Sequence, residues 1–324
     1  MRAITVTADS RLELTEVPDP SPAPGEVVVD VAAAGVNRAD LLQRAGHYAP
    51  PPGASDILGL EVSGTVREVG DGVTGWREGD RVCALLAGGG YAERVAVPAG
   101  QLLPAPDGLD LRDAAALPEA VCTAWSNLVD VGRLRDGETL LVHGGSGGVG
   151  SAAIQLGRAL GARVLATAGG PERAARCEEL GADVGIDHRG EVPAAVAAAT
   201  DGRGADVVLD VLGAGGLGDN VQMLARGGRL VVIGTQRGRR GELDLIALMA
   251  RQGSIHGTLL RPRPVEEKAA IVAAVHEHVW PMLADGRFRA VVHERIPFTE
   301  AGRAHELLDS GAVFGKVVLV TDAR

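Results

Sequence analysis

Aromatic residues are scarce in this chain: Phe, Trp and Tyr make up 2% of 324 residues, and only two are tyrosines. So few rings leave little to stack on bases, and a net charge of −10 gives no attraction for a phosphate backbone. Nucleic-acid binding is therefore excluded as a function class. Cysteine is also sparse. Cys83, Cys122 and Cys177 form no C-x-x-C pair, which excludes a disulfide framework and points to a reducing, cytoplasmic compartment. The segment Met1–Val6 has no apolar signal-peptide core, and no run of about 18 apolar residues occurs, so no membrane partner is expected. What is plentiful is apolar residues (46%) and glycine (46 residues), in a chain long enough to require two domains.

The glycines matter most at Gly145-Ser146-Gly147-Gly148-Val149-Gly150, a G-x-G-x-x-G pattern. Alone it is weak, since a glycine-rich chain produces such spacings by accident. Its context is stronger. Thr139–His143 before it is an apolar run suited to a buried parallel strand, and Ala152, Ala153, Leu156 and Leu160 after it recur at helical spacing. Gly161 then stops the helix and Arg163–Thr167 begins a second strand, completing a βαβ unit. In such a unit the glycines allow a tight turn, close approach of a pyrophosphate, and close helix packing, while the helix start faces the phosphates.

An NAD-preferring site offers an acid about 20 residues beyond the fingerprint. Here the second strand runs into Thr167-Ala168-Gly169-Gly170-Pro171-Glu172-Arg173. Gly169 leaves room, and Arg173 lies one turn on, where a guanidinium suits a 2′-phosphate. NADP(H) is the expectation, with Glu172 as the competing candidate inside the following helix.

Before the fingerprint the pattern has strand period. Short β-rich runs are expected at Ala3–Val6, Leu12–Val17, Val27–Val31, Glu61–Val69, Arg81–Leu86 and Ala92–Val97, as in a compact β-barrel or sandwich. Asn37 and Asp40 stand in a polar segment that reads either as site residues or as the N-cap of a short helix. Tyr48 precedes a proline-stiffened loop and reads as a site residue or a surface tyrosine. One helix is expected over Cys122–Leu134. Strands are then expected at Gly181–Asp187, Ala205–Val211, Gly228–Gly234 and Ser254–Leu259, giving a doubly wound parallel sheet. The tail reads as an amphipathic helix Glu266–Leu283, a strand Val291–Ile296, a helix Thr299–Leu308 and a strand Lys316–Val320, returning to complete the first domain. His276 and His278, two apart on a helix, do not make a metal pair. The Arg237-Gly238-Arg239-Arg240 run reads as a solvated loop, or as a contact for phosphate or substrate charge.

The segments Gly35–Asp40 and Gly59–Gly64, the Val69-Gly70 to Gly79-Asp80 block and the fingerprint together resemble the medium-chain dehydrogenase/reductase superfamily. Gln43–Ser55 and Gly257–Arg263 resemble the p53-inducible quinone oxidoreductase branch of its zinc-free, zeta-crystallin-like members. The resemblance implies a GroES-like catalytic domain over residues 1–119 and 259–324, with an NADP-binding Rossmann domain inserted at 120–258. Zinc-dependent relatives place Cys at Asn37 and His at Leu60 and add a four-cysteine lobe, so no metal is expected here. Without a Lewis acid, the favoured acceptor is a quinone or conjugated enone that delocalises the incoming charge by itself.

By the same resemblance, Asn37 and Tyr48 line the nicotinamide site and Asp40 supports the loop of Asn37. Thr123 lies beside the nicotinamide, while Gly145, Ser146, Gly147, Gly148 and Val149 hold the pyrophosphate. Gly170, Arg173 and His188 replace the Ser, Lys and Tyr that relatives place around the 2′-phosphate. Ile233, Gly234, Leu259 and Leu260 form the nicotinamide floor, with plain core as the alternative, and Phe314-Gly315-Lys316 closes over it. A homodimer joined at the sheet edge near Ser254–Leu260 is implied as well. The expected activity is NADPH-dependent quinone reduction. An enoyl-thioester reductase and a non-catalytic NADPH-binding protein are the alternatives.

Overall fold

The structure, a computed structural model, describes residues 1–321. The end of the expected 259–324 segment, residues 322–324, lies outside the described residues. The chain forms two compact units, Met1–Cys122 with Leu260–Arg324, and Thr123–Leu259.

The first unit holds strands β1 (Arg2–Val6), β2 (Leu12–Glu16), β3 (Glu26–Gly35), β4 (Glu61–Val69), β5 (Arg81–Leu85), β6 (Arg94–Pro98) and β7 (Leu102–Pro104). The second holds β8 (Thr139–Val142), β9 (Arg163–Ala168), β10 (Val184–Asp187), β11 (Ala205–Asp210), β12 (Leu224–Val232) and β13 (Ser254–Gly257). Beyond it, β14 (Val292–Pro297) and β15 (Lys316–Val320) belong to the first unit again.

The first unit is organised by β3. One edge of β3 pairs with β4, from Val27 opposite Val69 to Ala34 opposite Val62. Its other edge is divided, with β6 along Glu26–Asp30 and β15 along Ala33–Gly35. The result is one seven-stranded sheet, β14-β15-β3-β4-β5-β7 with β6 on β3, beside a two-stranded β1-β2 sheet. The strands do not split into the facing sheets of a sandwich. Val27, Val29, Val31, Val62, Tyr91, Phe298 and Leu319 form the core of this unit, each large apolar side chain contributing about 1.5–3 kcal/mol of burial.

The second unit is a six-stranded sheet of order β10-β9-β8-β11-β12-β13, with every pairing parallel. Counted within this unit the order is 3-2-1-4-5-6, so the chain reverses direction across the sheet between β8 and β11. Ligands of open α/β sheets bind beyond the strand ends at such a reversal. Leu141, Leu165, Val208 and Leu230, one from each central strand, are buried together as the continuous apolar runs require.

Three sequence expectations are corrected. The helix expected at Cys122–Leu134 is instead Pro118–Trp125 followed by a π-helical turn at Ser126–Val131. The Asn127 side chain donates to the Thr123 carbonyl at 2.8 Å, and the Gly132 N–H reaches the Asn127 carbonyl at 2.9 Å, which widens the turn. The single helix expected at Glu266–Leu283 is divided into Val265–His278 and Trp280–Ala284, because Pro281 has no N–H to continue the ladder. The strand expected at Gly228–Gly234 begins earlier, at Leu224, and its pairing with β11 shifts register between Ala205 and Val207. The short β7 has no counterpart among the expected strands.

Asn127 also accepts from the Thr258 hydroxyl at 2.5 Å. Asn127→Ala removes both bonds and leaves the Thr258 hydroxyl unpaired. We expect a loss of about 1–3 kcal/mol in urea unfolding with an unchanged denaturant slope; a loss below that range would show that the π turn does not depend on this side chain.

Candidate active site

In the first unit, β3 ends at Gly35 and delivers Asn37, in extended conformation, to the N-terminus of the helix Arg38–Arg44. Asp40, in the first turn of that helix, is fully buried. Its Oδ2 accepts the Asn37 N–H at 2.8 Å and its Oδ1 accepts the Gly59 N–H at 3.0 Å. The Tyr91 hydroxyl lies 3.4 Å from Oδ2 and 3.1 Å from Nε2 of the buried His305. Burial pushes the Asp40 carboxyl up to about 6, against the two N–H bonds and the charge of Lys316. The capping reading of Asp40 therefore holds in its geometry, and the same side chain ties the Asn37 turn to Gly59.

The Asn37 amide is itself held by a buried ion pair. Nδ2 donates to Glu61 Oε1 at 2.9 Å, and Oδ1 accepts from Lys316 Nζ at 2.6 Å. Lys316 Nζ lies 2.5 Å from Glu61 Oε1, with side-chain exposures of 5% and 0%, and also donates to the Val36 carbonyl at 2.9 Å. Glu61 Oε2 accepts the Glu119 N–H at 2.9 Å. An ammonium has three protons, and here all three have partners within the unit. These contacts make Lys316 a positioning group for Asn37. A Cβ on Gly35 would lie 2.2 Å from Glu61 Oε1, so glycine is needed where the carboxylate crosses β3.

Sequence reasoning missed Glu61. The signal was a carboxylate at the head of a strand whose neighbours Leu60 and Val62 are buried apolar residues. Tyr48 is half-buried and belongs to a different cluster, with the Arg261 guanidinium carbon 5.2 Å from its ring centroid. Leu260 and Phe314 are buried. Leu259 is 55% exposed, and core packing does not account for it.

In the second unit, β8 runs into the glycine turn. The Gly145 N–H bonds the Thr167 carbonyl on β9 at 2.8 Å, and the Gly147 N–H bonds the Gly144 carbonyl at 2.9 Å. A Cβ on Gly150 would lie 2.1 Å from the Gly144 oxygen, so no other residue fits between helix and turn. The helix Gly148–Ala159 starts there, and its first-turn N–H groups have no partner within the helix, an arrangement that suits an anion. Val149 lies in that first turn. His143, unassigned from sequence, locks the turn: Nε2 lies 2.7 Å from Asn220 Oδ1, and Nδ1 lies 3.2 Å from the Thr167 hydroxyl, which accepts the Gly144 N–H. Burial lowers the His143 pKa and keeps the ring neutral.

At the end of β9, nitrogen-bearing side chains surround the next turn. Arg173 Nε donates to the Gly169 carbonyl at 2.8 Å. A Cβ on Gly169 would lie 3.2 Å from Arg173 Nη2 and 3.3 Å from His188 Cε1, and one on Gly170 would lie 2.5 Å from Arg189 Nη2. Arg189 was missed from sequence. Asp187, in register with Ala168, supplies an acid to this turn from the neighbouring strand, although β9 itself ends without one. Its carboxylate accepts the Gly170 N–H at 2.9 Å and pairs with Arg189 at 2.9 Å, which holds it well below the usual carboxylate range. Ile233 and Gly234 are half-buried beyond β12, and Thr123 is buried with its carbonyl bonded by Asn127.

A family profile described as an alcohol dehydrogenase GroES-like domain matches residues 23–107, and one described as a zinc-binding dehydrogenase matches residues 148–275. The quinone oxidoreductase of Rattus norvegicus is 33% identical over 332 aligned positions, covering 99% of this chain and 98% of that protein. A phenolphthiocerol/phthiocerol polyketide synthase chain of Mycobacterium tuberculosis is 32% identical across 95% of this chain, which spans 14% of that longer protein. An NAD-dependent alcohol dehydrogenase superposes with a TM-score of 0.88 at 33% identity, covering 99% of both chains. A mycobacterial protein solved in complex with NADPH superposes with a TM-score of 0.87 at 31% identity, covering 99% of this chain and 100% of that one.

Removing one partner of the buried pair leaves the other charge uncompensated. Lys316→Met should cost about 3–5 kcal/mol in urea unfolding, and adding Glu61→Gln should recover part of the loss; an additive double variant would show the pair to be uncoupled. For Asp40, the folded-state value of about 6 lies above the ordinary value of 3.8, so the native state binds the proton more tightly. Its contribution is fully present below the unfolded value and is lost as pH rises through the folded one. From about pH 4 to pH 7 the stability of Asp40→Asn should therefore gain up to about 3 kcal/mol on the parent, and a pH-independent difference would contradict the raised value.

Proposed function

The chain belongs to the medium-chain dehydrogenase/reductase superfamily, and on that premise we propose that it is an NADPH-dependent, zinc-independent reductase of quinones or related conjugated carbonyls. The observation that carries this reading is the Lys316 ammonium between Asn37 Oδ1 and Glu61 Oε1. In the zinc-dependent relatives the positions of Asn37 and Leu60 carry the metal's Cys and His. Here one is an amide already bonded to a cation and the other is apolar, a donor set that does not suit zinc. The fixed positive charge would also repel a divalent ion. An acceptor must then delocalise the arriving charge itself, as quinones and enones do.

The nucleotide unit fits a dinucleotide. The reduced nicotinamide supplies the hydride. The glycine turn from Gly145 to Val149 and the helix start would hold the pyrophosphate, and Gly169, Arg173, His188 and Arg189 the 2′-phosphate. Thr123, Ile233, Gly234 and Leu259 would approach the nicotinamide from this unit. In the catalytic unit, Asn37 presents an amide of fixed orientation and Tyr48 steers or supplies the proton. Gln43 and Arg261, from the two segments resembling the p53-inducible branch, bond to each other at 2.7 Å, which supports that closer assignment.

A homodimer is supported by Leu245, Ile246 and Met249, which are 62%, 73% and 69% exposed on the helix before edge strand β13. Buried free thiols suit a cytoplasmic enzyme, and no helix of the described residues is long and apolar enough to cross a membrane. Likeness to a solved enoyl reductase, with a TM-score of 0.87 at 25% identity, supports enoyl reduction as the second reading.

We expect the kcat/KM for NADPH to exceed that for NADH by about tenfold or more, equivalent to about 1.4 kcal/mol. Arg173→Ala and Arg189→Ala should each weaken NADPH binding, read by nucleotide fluorescence, while leaving NADH binding nearly unchanged. A ratio at or below one would refute the NADP assignment. Turnover of 1,4-benzoquinone and 9,10-phenanthrenequinone should exceed that of crotonyl-CoA; the reverse order would move the chain to the enoyl reductases, and tight NADPH binding without turnover would make it a binding protein.

A further inference from the structure

Arg261 carries a buried charge for which the proposed reduction has no use. The residue is 4% exposed. Nε donates to the Ala87 carbonyl at 2.7 Å and Nη2 donates to Gln43 Oε1 at 2.7 Å. Both partners are neutral, so neither offsets the positive charge. The third nitrogen, Nη1, is buried with no hydrogen-bond partner. Leaving a guanidinium nitrogen unpaired out of water is costly, and such sites persist where the charge acts on something. What faces it is Tyr48, whose ring centroid lies 5.2 Å from Cζ.

A cation over an aromatic face is attracted to the ring, and the attraction grows when the ring bears a full negative charge. The surroundings of the pair are mixed in sign. Burial and the Glu119 carboxylate favour the neutral phenol of Tyr48, whereas Arg261 favours its ionised form. Besides Tyr48, the carboxylates of Asp40 and Glu119 favour the charge of Arg261, and the ammonium of Lys268 on the helix Val265–His278 opposes it. Tyr48 is thus protonated at rest, with a counter-charge in place for the anion that proton loss would leave.

We propose that Arg261 is the positioning residue that makes Tyr48 a proton donor, orienting the ring and stabilising the phenolate left when the hydroxyl proton passes to the oxygen of the reduced acceptor. The inference rests on the reading of this unit as the site of conjugated-carbonyl reduction. The acceptor takes hydride and its electron pair from the reduced dinucleotide. Its oxygen forms a bond to the Tyr48 proton as the phenolic O–H breaks, and the phenolate recovers a proton from water. One solvent proton is consumed per turnover and nothing else is required.

The chain has only two tyrosines, so their ionisation can be followed by tyrosinate absorbance without any substrate. Tyr91 is fully buried and its ionisation lies well above the usual range, so the earlier transition belongs to Tyr48, and its disappearance in Tyr48→Phe identifies it. Arg261→Gln should raise that transition by at least about one pH unit. Arg261→Lys, which keeps the charge but lacks the planar fork, should raise it by less. The alkaline limb of kcat should move with the transition while the KM for NADPH stays within about twofold. A Tyr48 transition unmoved in folded Arg261→Gln overturns the proposal. If that variant does not fold, Gln43→Ala, which releases one arm of the guanidinium, is read in the same way. A shifted transition in a protein that reduces no acceptor overturns the hydride-transfer reading instead, and full quinone turnover by Tyr48→Phe removes the proton-donor role.

Discussion

The contact on which the catalytic unit depends is the buried pair of Lys316 and Glu61, because it decides which end of the Asn37 amide points where. Removing two charges from water costs several kcal/mol, and their mutual attraction seldom does more than balance that cost. The pair is better understood through orientation than through stability. With Glu61 accepting from Nδ2 and Lys316 donating to Oδ1, the amide cannot flip without setting like against like. Asp40 adds a second restraint by holding the Asn37 N–H. A short polar side chain on a loop thereby gains the fixed direction of one on a regular element.

In the nucleotide unit the glycine turn is held mainly by neutral groups. It is fixed from below by His143, Thr167 and Asn220, three polar side chains whose mutual bonds use neutral groups. Full charges appear at the rim, where Arg173, Arg189 and Asp187 surround the turn after β9. The turn is thus fixed by neutral contacts, with the charged side chains gathered at the next turn.

Local pattern made much of this readable from sequence. The strands Glu61–Val69 and Lys316–Val320 have the bounds their alternation suggests, and the G-x-G-x-x-G turn lies between strand and helix where its spacing puts it. What could not be read was long-range pairing. Lys316 and Glu61 are far apart in sequence, and neither carries a mark of burial except an apolar neighbourhood. Arg189 and Asp187 reach the Gly169–Gly170 turn only because β10 pairs with β9. The π turn at Ser126–Val131 arises from one asparagine competing for a backbone carbonyl, a choice that helical periodicity does not register. Arg261 stood in a segment noted for its resemblance alone, and its meaning appeared only with Tyr48 beneath it.

The divided edge of β3 has a consequence for biosynthesis. Its amino-terminal half is completed by β6, a neighbour within the first hundred residues, whereas its last turn toward Asn37 waits for β15. On the ribosome, the continuous segment Thr123–Leu259 has every strand it needs while the earlier sheet still lacks two, β14 and β15. Vectorial synthesis therefore favours maturation of the inserted unit first, and the Asn37 loop acquires its ammonium only after that unit has been made.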